Sequence, residues 1–317
     1  FSDIVTITEL FSDFTLDETL FFRGGKQKIA WGVGYFFSPA DVLNLTAIDP
    51  DDPEAEREGP VSLRINLPVD FHNLYLYVLA DPDSNGVSLA VAPKAELVLG
   101  GTEIGLGAYY NPNRVPRIML TLSTSVSRYE FFGELEASIG SDRTFVETTD
   151  ISSENLFGLR TIQHLKQVFS AATGGIRYGY KPPSERWSAT FVGQYLWNGE
   201  GYENPGLLRE NPTGISALIA SNALSFGDLS YPGRHYAAAS LSIAPGLPSD
   251  WSLGAFWISN LSDGSGRISP SLRFQLAKKL SLQANATITY GVAGSEMTPT
   301  GSYAGVSVGA TLGSGNF

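Results

Sequence analysis

The chain has 317 residues with 34 Gly, 18 Pro, 18 Phe, 14 Tyr and no Cys; 43% of it is hydrophobic and 17% charged, against roughly 25% charged in a typical soluble domain. The lack of cysteine excludes a disulfide scaffold, thiolate metal sites, iron–sulfur clusters and cysteine nucleophiles, and a formal net charge of −11 without a basic stripe argues against a nucleic-acid partner. No stretch approaches the roughly 18 to 20 continuous apolar residues of a membrane-spanning helix, so a fairly apolar chain has no helical span to account for it.

Period-two alternation supplies the account, because strict alternation of apolar and polar residues marks strands. In chain order it predicts strands at 2–11, 17–32, 60–69, 72–80, 87–99, 101–111, 115–126, 128–139, 164–181, 186–198, 234–244, 251–261, 267–277, 280–292 and 302–313. In the 128–139 segment Tyr129, Phe131, Leu135, Ala137 and Ile139 share one parity, and Arg128, Glu130, Glu134, Glu136 and Ser138 the other. The 280–290 stretch sorts as cleanly, with Leu280, Leu282, Ala284, Ala286, Ile288 and Tyr290 against Ser281, Gln283, Asn285, Thr287 and Thr289. Many of these segments run to ten residues or more, the length that crosses a bilayer as a tilted barrel strand. Trp187, Phe191, Tyr195 and Trp197 share a parity in one segment, as aromatic girdles at the two membrane interfaces require.

The connections alternate between tight ones, near 12–16, 68–71, 100–101, 127, 182–185, 245–250 and 278–279, and longer ones, at 34–59, 81–86, 111–114, 140–163, 199–233, 262–266 and 293–301. Short turns on one side and long loops on the other are a property of outer-membrane barrels. The expected fold is therefore all-β: a transmembrane antiparallel up-and-down β-barrel of about 16 strands, or 14 if two weak segments merge, forming one domain over residues 1–317. If the turn near 12–16 is periplasmic, one strand is missing before Phe1, since bacterial barrels start upward and have an even strand number.

Residues 25–45 read GKQKIAWGVGYFFSPADVLNL and follow the strand ETLFFRG. This resembles the strand-plus-inward-loop segment (GKQ, then WG, then FSPxD) of porin-like outer-membrane barrels of proteobacteria and spirochaetes. The resemblance implies a passive or substrate-selective barrel with a loop folded against the lumen near residues 37–41, making Phe36, Phe37, Ser38, Pro39, Asp41 and Asn44 the expected constriction. Such proteins end on a Phe in phase with the outward residues of the last strand; Phe317 has the opposite parity to Ala304, Val306, Val308, Ala310 and Leu312, which calls for a bulge near residues 313–315 or a degenerate assembly signal.

Polar parities nominate the pore lining: Arg23, Lys26, Lys28, Arg64, Lys94, Arg177 and Arg273 against Glu96, Glu103, Glu130, Glu134 and Glu136. Facing rows of opposite charge set a transverse field and an ion preference. Arg23, Lys26 and Lys28 differ in parity, and a bulge at Gly24 and Gly25 would turn all three inward. In the 34–59 loop the apolar Tyr35, Phe36, Phe37, Val42 and Leu43 suit packing inside the barrel mouth, and the acidic run that follows suits a solvated, cation-attracting rim. Asp49, Asp51 and Asp52 offer calcium only a weak alternative, since they lack the order of an EF-hand loop. Residues 212–226 space Ile215, Leu218, Ile219 and Leu224 as a short amphipathic helix, either a cap or plug at the mouth or a surface helix.

Enzyme signatures are thin. The GxSxG match at Gly305, Ser307 and Gly309 lies inside an alternating strand with no later His, not in the strand-turn-helix that a nucleophile elbow needs. His72, His164 and His235 are far apart, and Asn44, Asn260 and Asn285 begin N-x-S/T triplets by chance. The leading expectation is a bacterial outer-membrane channel for passive diffusion of small polar solutes or ions, with no cofactor, surrounded by lipid, and open to homo-oligomers or other envelope partners. A plugged structural or adhesive barrel and a polysaccharide exporter are the alternatives; a barrel hydrolase and a soluble carbohydrate-binding sandwich rank below them.

Overall fold

In the computed structural model the described residues are 7–44, 48, 50, 58–83, 86–153, 155–182, 187–245, 251–277 and 280–312. Among these residues fifteen strands form one antiparallel sheet in up-and-down order, close to the sixteen expected, and two more form a separate hairpin. The chain divides into two compact units. Among the described residues no helix is long and apolar enough to cross a membrane, which leaves strand crossing open.

The first unit is built on β1 (Leu10–Leu16), β2 (Leu20–Lys26), β3 (Val61–Val69), β4 (His72–Asp83), β5 (Gly86–Leu99), β6 (Thr102–Tyr109), β7 (Arg117–Val126) and most of β8 (Tyr129–Ile139). Two-residue turns join several of them, with Asp70 (φ 53°) between β3 and β4, Gly100 (φ 63°) between β5 and β6, and Ser127 (φ 60°) after β7 all in left-handed conformation. The predicted loop at 140–163 contains a hairpin, β9 (Thr144–Thr148) with β10 (Leu159–Gln163), before β11 (Val168–Tyr180) begins.

Two boundaries differ from the sequence expectation. The tight connection expected near 12–16 lies inside β1; the turn is three residues later, where Asp17 and Glu18 take φ of 49° and 53° and Leu16 pairs with Leu20. The strand expected over 17–32 stops at Lys26. Gly24 and Gly25 do not bulge the β2–β3 ladder, whose register runs unshifted from Phe21↔Asn66 to Lys26↔Val61.

The second unit holds β12 (Trp187–Asn198), β13 (His235–Pro245), β14 (Trp251–Asn260), β15 (Ser265–Ala277), β16 (Leu280–Tyr290) and β17 (Ala304–Leu312). Between β12 and β13 come α1 (Gly206–Glu210), α2 (Pro212–Ala220) and a 3-10 turn at Gly227–Leu229. The helix predicted over 212–226 ends at Ala220: Pro212 occupies its first turn, and Asn222 takes the left-handed conformation (φ 58°) that terminates helices. Ile215 and Leu224 are buried, and Gly214 packs on the side chains of Phe157 and Leu159. Ser307 faces Asn285 in the regular β16–β17 ladder, so the GxSxG match is plain strand.

Burial along the strands is inverted relative to a soluble protein. In β8, Phe131 and Leu135 are 43% and 42% exposed while Glu134 and Glu136 are 5% exposed. In β12 the apolar ring series Trp187, Phe191, Tyr195 and Trp197 is exposed, and Gln194 is buried. A sheet whose apolar face is bare and whose polar face is covered is stable only where the surroundings of the apolar face are themselves apolar, as in a bilayer.

Candidate functional site

Past Lys26 the chain leaves the ladder and folds onto the polar face of the first unit. Gln27 makes the departure possible: it is buried, and its amide donates to the carbonyls of Arg23 (3.2 Å) and Ser62 (3.3 Å). Ile29, Trp31, Ala40 and Leu43 then join Tyr77, Ala90, Ala92 and Met119 of the sheet in one buried apolar cluster. The small side chains of Ala90 and Ala92 leave room, and Gly107 leaves more, since a Cβ there would lie 2.3 Å from the Trp31 ring. Trp31 meets Tyr77 edge-on at 5.4 Å, a favoured aromatic geometry. Asn44 ties the two limbs of the loop, accepting from the Ile29 amide (2.9 Å) and donating to the Ile29 carbonyl (2.7 Å) and Asp41 (2.6 Å).

The far limb gathers donors around a carboxylate of β8. Glu134 accepts from the backbone amides of Val33 (2.6 Å), Gly34 (2.6 Å) and Ala40 (2.9 Å) and from the Ser38 hydroxyl (2.9 and 3.1 Å to its two oxygens). A buried carboxylate is tolerable only when its lone pairs are filled in this way. Gly32 admits the approach, because a Cβ there would come within 2.7 Å of the same carboxylate. Phe36 and Phe37 are buried, Ser38, Pro39, Asp41 and Asn44 partly so, and Tyr35 lies 5.1 Å from the Phe132 ring.

The predicted charges fall into different surroundings. Arg23 and Arg64 are directly opposite on the polar face of β2 and β3. Arg23 is neutralised by a bidentate pair with Asp13 (2.6 and 2.8 Å) and stacks over Phe11. Arg64 has a buried Nε with no hydrogen-bond partner among the described residues, and it borders a cavity of about 150 Å³ shared with Lys28, Tyr75, Tyr77 and Glu96. Lys94 is buried between Glu96 (2.7 Å) and the Trp31 carbonyl (3.3 Å). Glu103 is exposed on the same face, opposite Ser123. The three basic residues near the start do not converge: Lys26 stands on the side of Leu10 and Val61 and bonds Glu58 at 2.5 Å, and Lys28 is exposed beyond the strand. Glu136 pairs with Arg117 (3.4 Å), which also holds Asp142 (3.0 Å). In the second unit Arg177 pairs with Glu130 (3.4 Å), and Arg273 is exposed between Ser252 and Gln283. Asp49, Asp51 and Asp52 lie outside the described residues.

Sequence reasoning missed Trp31, the centre of the inner packing. The available signal was phase: Ile29 and Trp31 take the odd parity of Arg23, while Lys26 and Lys28 take the even parity of Leu20 and Phe22, so the charged residues change sides within the predicted strand. It also missed two polar networks with no periodicity to show them. Asp81 gathers the Tyr109 hydroxyl, Asn111 (2.9 Å) and Arg114 (3.0 Å). In the second unit Glu296 receives Tyr236 (2.7 Å) and Asn260 (2.8 Å), fixing the segment after β16 over buried polar groups. The histidines are engaged separately, His72 with the Val98 amide, His164 with the Phe145 ring and His235 with Tyr195.

No family model and no curated protein matches the chain in sequence. Among solved structures it is similar to Acinetobacter baumannii OccAB1, with a TM-score of 0.50 and 11% identity over 92% of this chain and 73% of that one. It also matches Pseudomonas aeruginosa OccD3 (OpdP), with a TM-score of 0.43 and 11% identity over 92% and 74% of the two chains. A loop L8 deletion mutant of OmpT, an outer membrane protein of Vibrio cholerae, matches with a TM-score of 0.43 and 8% identity over 95% and 88%. The likeness to OccAB1, taken with the inverted burial of the strands, makes the fold that of an outer-membrane antiparallel β-barrel.

Proposed function

We propose that the chain is a single barrel domain in a bacterial outer membrane that conducts small polar solutes or ions passively, without covalent chemistry. The observation that carries this reading is the loop of residues 27–44, folded onto the polar face and bordered by a cavity beside Arg64, whose buried Nε has no hydrogen-bond partner among the described residues. Such a loop narrows a lumen without filling it, and the charges at its margin set which solutes pass. Arg23, Arg64, Lys94, Glu96, Glu103, Glu130, Glu136, Arg177 and Arg273 are the proposed lining, and Phe36, Phe37, Ser38, Pro39, Asp41 and Asn44 the proposed constriction. Lipid is the outer partner. A plugged structural barrel is the competing reading, favoured by the network of the buried Tyr236 and Asn260 with the half-buried Glu296 in the second unit. Swelling of proteoliposomes in sugars of increasing size tests the proposal: swelling that falls off with solute size supports a channel, and no swelling with any sugar supports the plug.

A further inference from the structure

The inner loop has two kinds of attachment. Its near limb is held by apolar packing around Trp31, which is diffuse and non-directional. Its far limb, residues 33–40, gives three backbone amides and one hydroxyl to the Glu134 carboxylate of β8. These donors are spread over eight residues of loop and about a hundred residues of chain from their acceptor. Hydrogen bonds to an ionised acceptor are roughly twice as strong as neutral ones, and here both carboxylate oxygens are used.

We infer that Glu134 is the positioning residue of the constriction: its carboxylate, not the packing, sets where the tip at Phe36–Phe37–Ser38 stands, and its neutral analogue lets the tip leave the wall. This deepens the channel reading and rests on it for the word constriction, but the clasp itself does not. A glutamine at this position keeps the shape and replaces one acceptor oxygen by a donor facing other donors. Ser38 is dispensable by the same logic, because three amides remain when its hydroxyl is gone.

The natural chain has no cysteine, so Phe37→Cys makes a single thiol at a position that is 3% exposed. In detergent-folded protein checked by heat-modifiable migration, the thiol should resist a water-soluble maleimide in the otherwise natural chain and with Ser38→Ala. It should label readily with Glu134→Gln, and Glu134→Asp, which keeps the charge, should restore part of the protection. Equal protection with Glu134→Gln and without it would overturn the inference. If Glu134→Gln fails to assemble, Glu134→Asp, which keeps the charge but draws the carboxylate back from its donors, is read alone: labelling above that of the natural Glu134 supports the clasp and equal protection overturns it. Single-channel recording on the same proteins separates the two claims, since a labelling difference in a protein that passes no current leaves the clasp standing and fails the channel reading alone.

Discussion

Trp31 and Gly107 form one interlocking pair, and each makes a prediction about the other. Truncating Trp31 to Ala empties a site lined by Tyr77 and Met119 and should cost about 3–5 kcal/mol of unfolding free energy in urea titrations of lipid-refolded protein. Gly107→Ala places a methyl 2.3 Å from the same ring and should cost about 1–3 kcal/mol through overpacking; in the Trp31→Ala background that cost should largely vanish, which a double-mutant cycle reads directly. The two arginines of the polar face make a second contrast. Arg23 is already neutralised by Asp13, whereas Arg64 has a buried Nε without a hydrogen-bond partner among the described residues, beside a cavity. Reversal potentials in a salt gradient should therefore move toward cation preference with Arg64→Gln far more than with Arg23→Gln.

The strands make their predictions through their two faces. Leu135 is bare on the apolar face of β8, and an arginine there should cost about 2–4 kcal/mol if the residue stands near the membrane midplane. Gln283 is on the polar face of β16, opposite Arg273 and Gly309, and a serine there should be close to neutral in the same urea titration. Ser127 holds a left-handed turn without being glycine, so Ser127→Gly should stabilise the β7–β8 connection by roughly 1 kcal/mol. At this scale the sequence was most legible where both faces are continuous: the predicted 128–139 and 280–292 segments match β8 (Tyr129–Ile139) and β16 (Leu280–Tyr290) closely. It was least legible at β2, where periodicity carries on through Gln27–Trp31 although the ladder has ended. Alternation reports only that one side of an extended chain is apolar; it does not say whether that side meets lipid or the inner surface of the sheet. The hairpin of β9 and β10 escaped for another reason, since five-residue strands are too short to show a period. Of the candidate site, the loop tip was legible from its apolar run, but the role of Glu134 was not. A carboxylate on a polar parity reads as a lining charge whether it faces water or a cage of amides.

For the molecule as a whole, the low charge content follows from the inverted plan. The apolar residues that a soluble protein hides are shown on one face of fifteen strands, and most of the polar residues are drawn to the other, so the 43% hydrophobic fraction averages two opposite surfaces. The inner loop adds what a soluble fold would call a core, confined to the first unit. Folded protein extracted in mild detergent should accordingly change its electrophoretic migration on boiling, as strand ladders resist dodecyl sulfate until heated. Whether the barrel conducts is decided by planar-bilayer recording of protein that has passed that check. A conducting barrel gives discrete current steps of reproducible size, with a reversal potential sensitive to Arg64; a silent membrane under the same conditions, with correctly folded protein present, would mean that it is no channel.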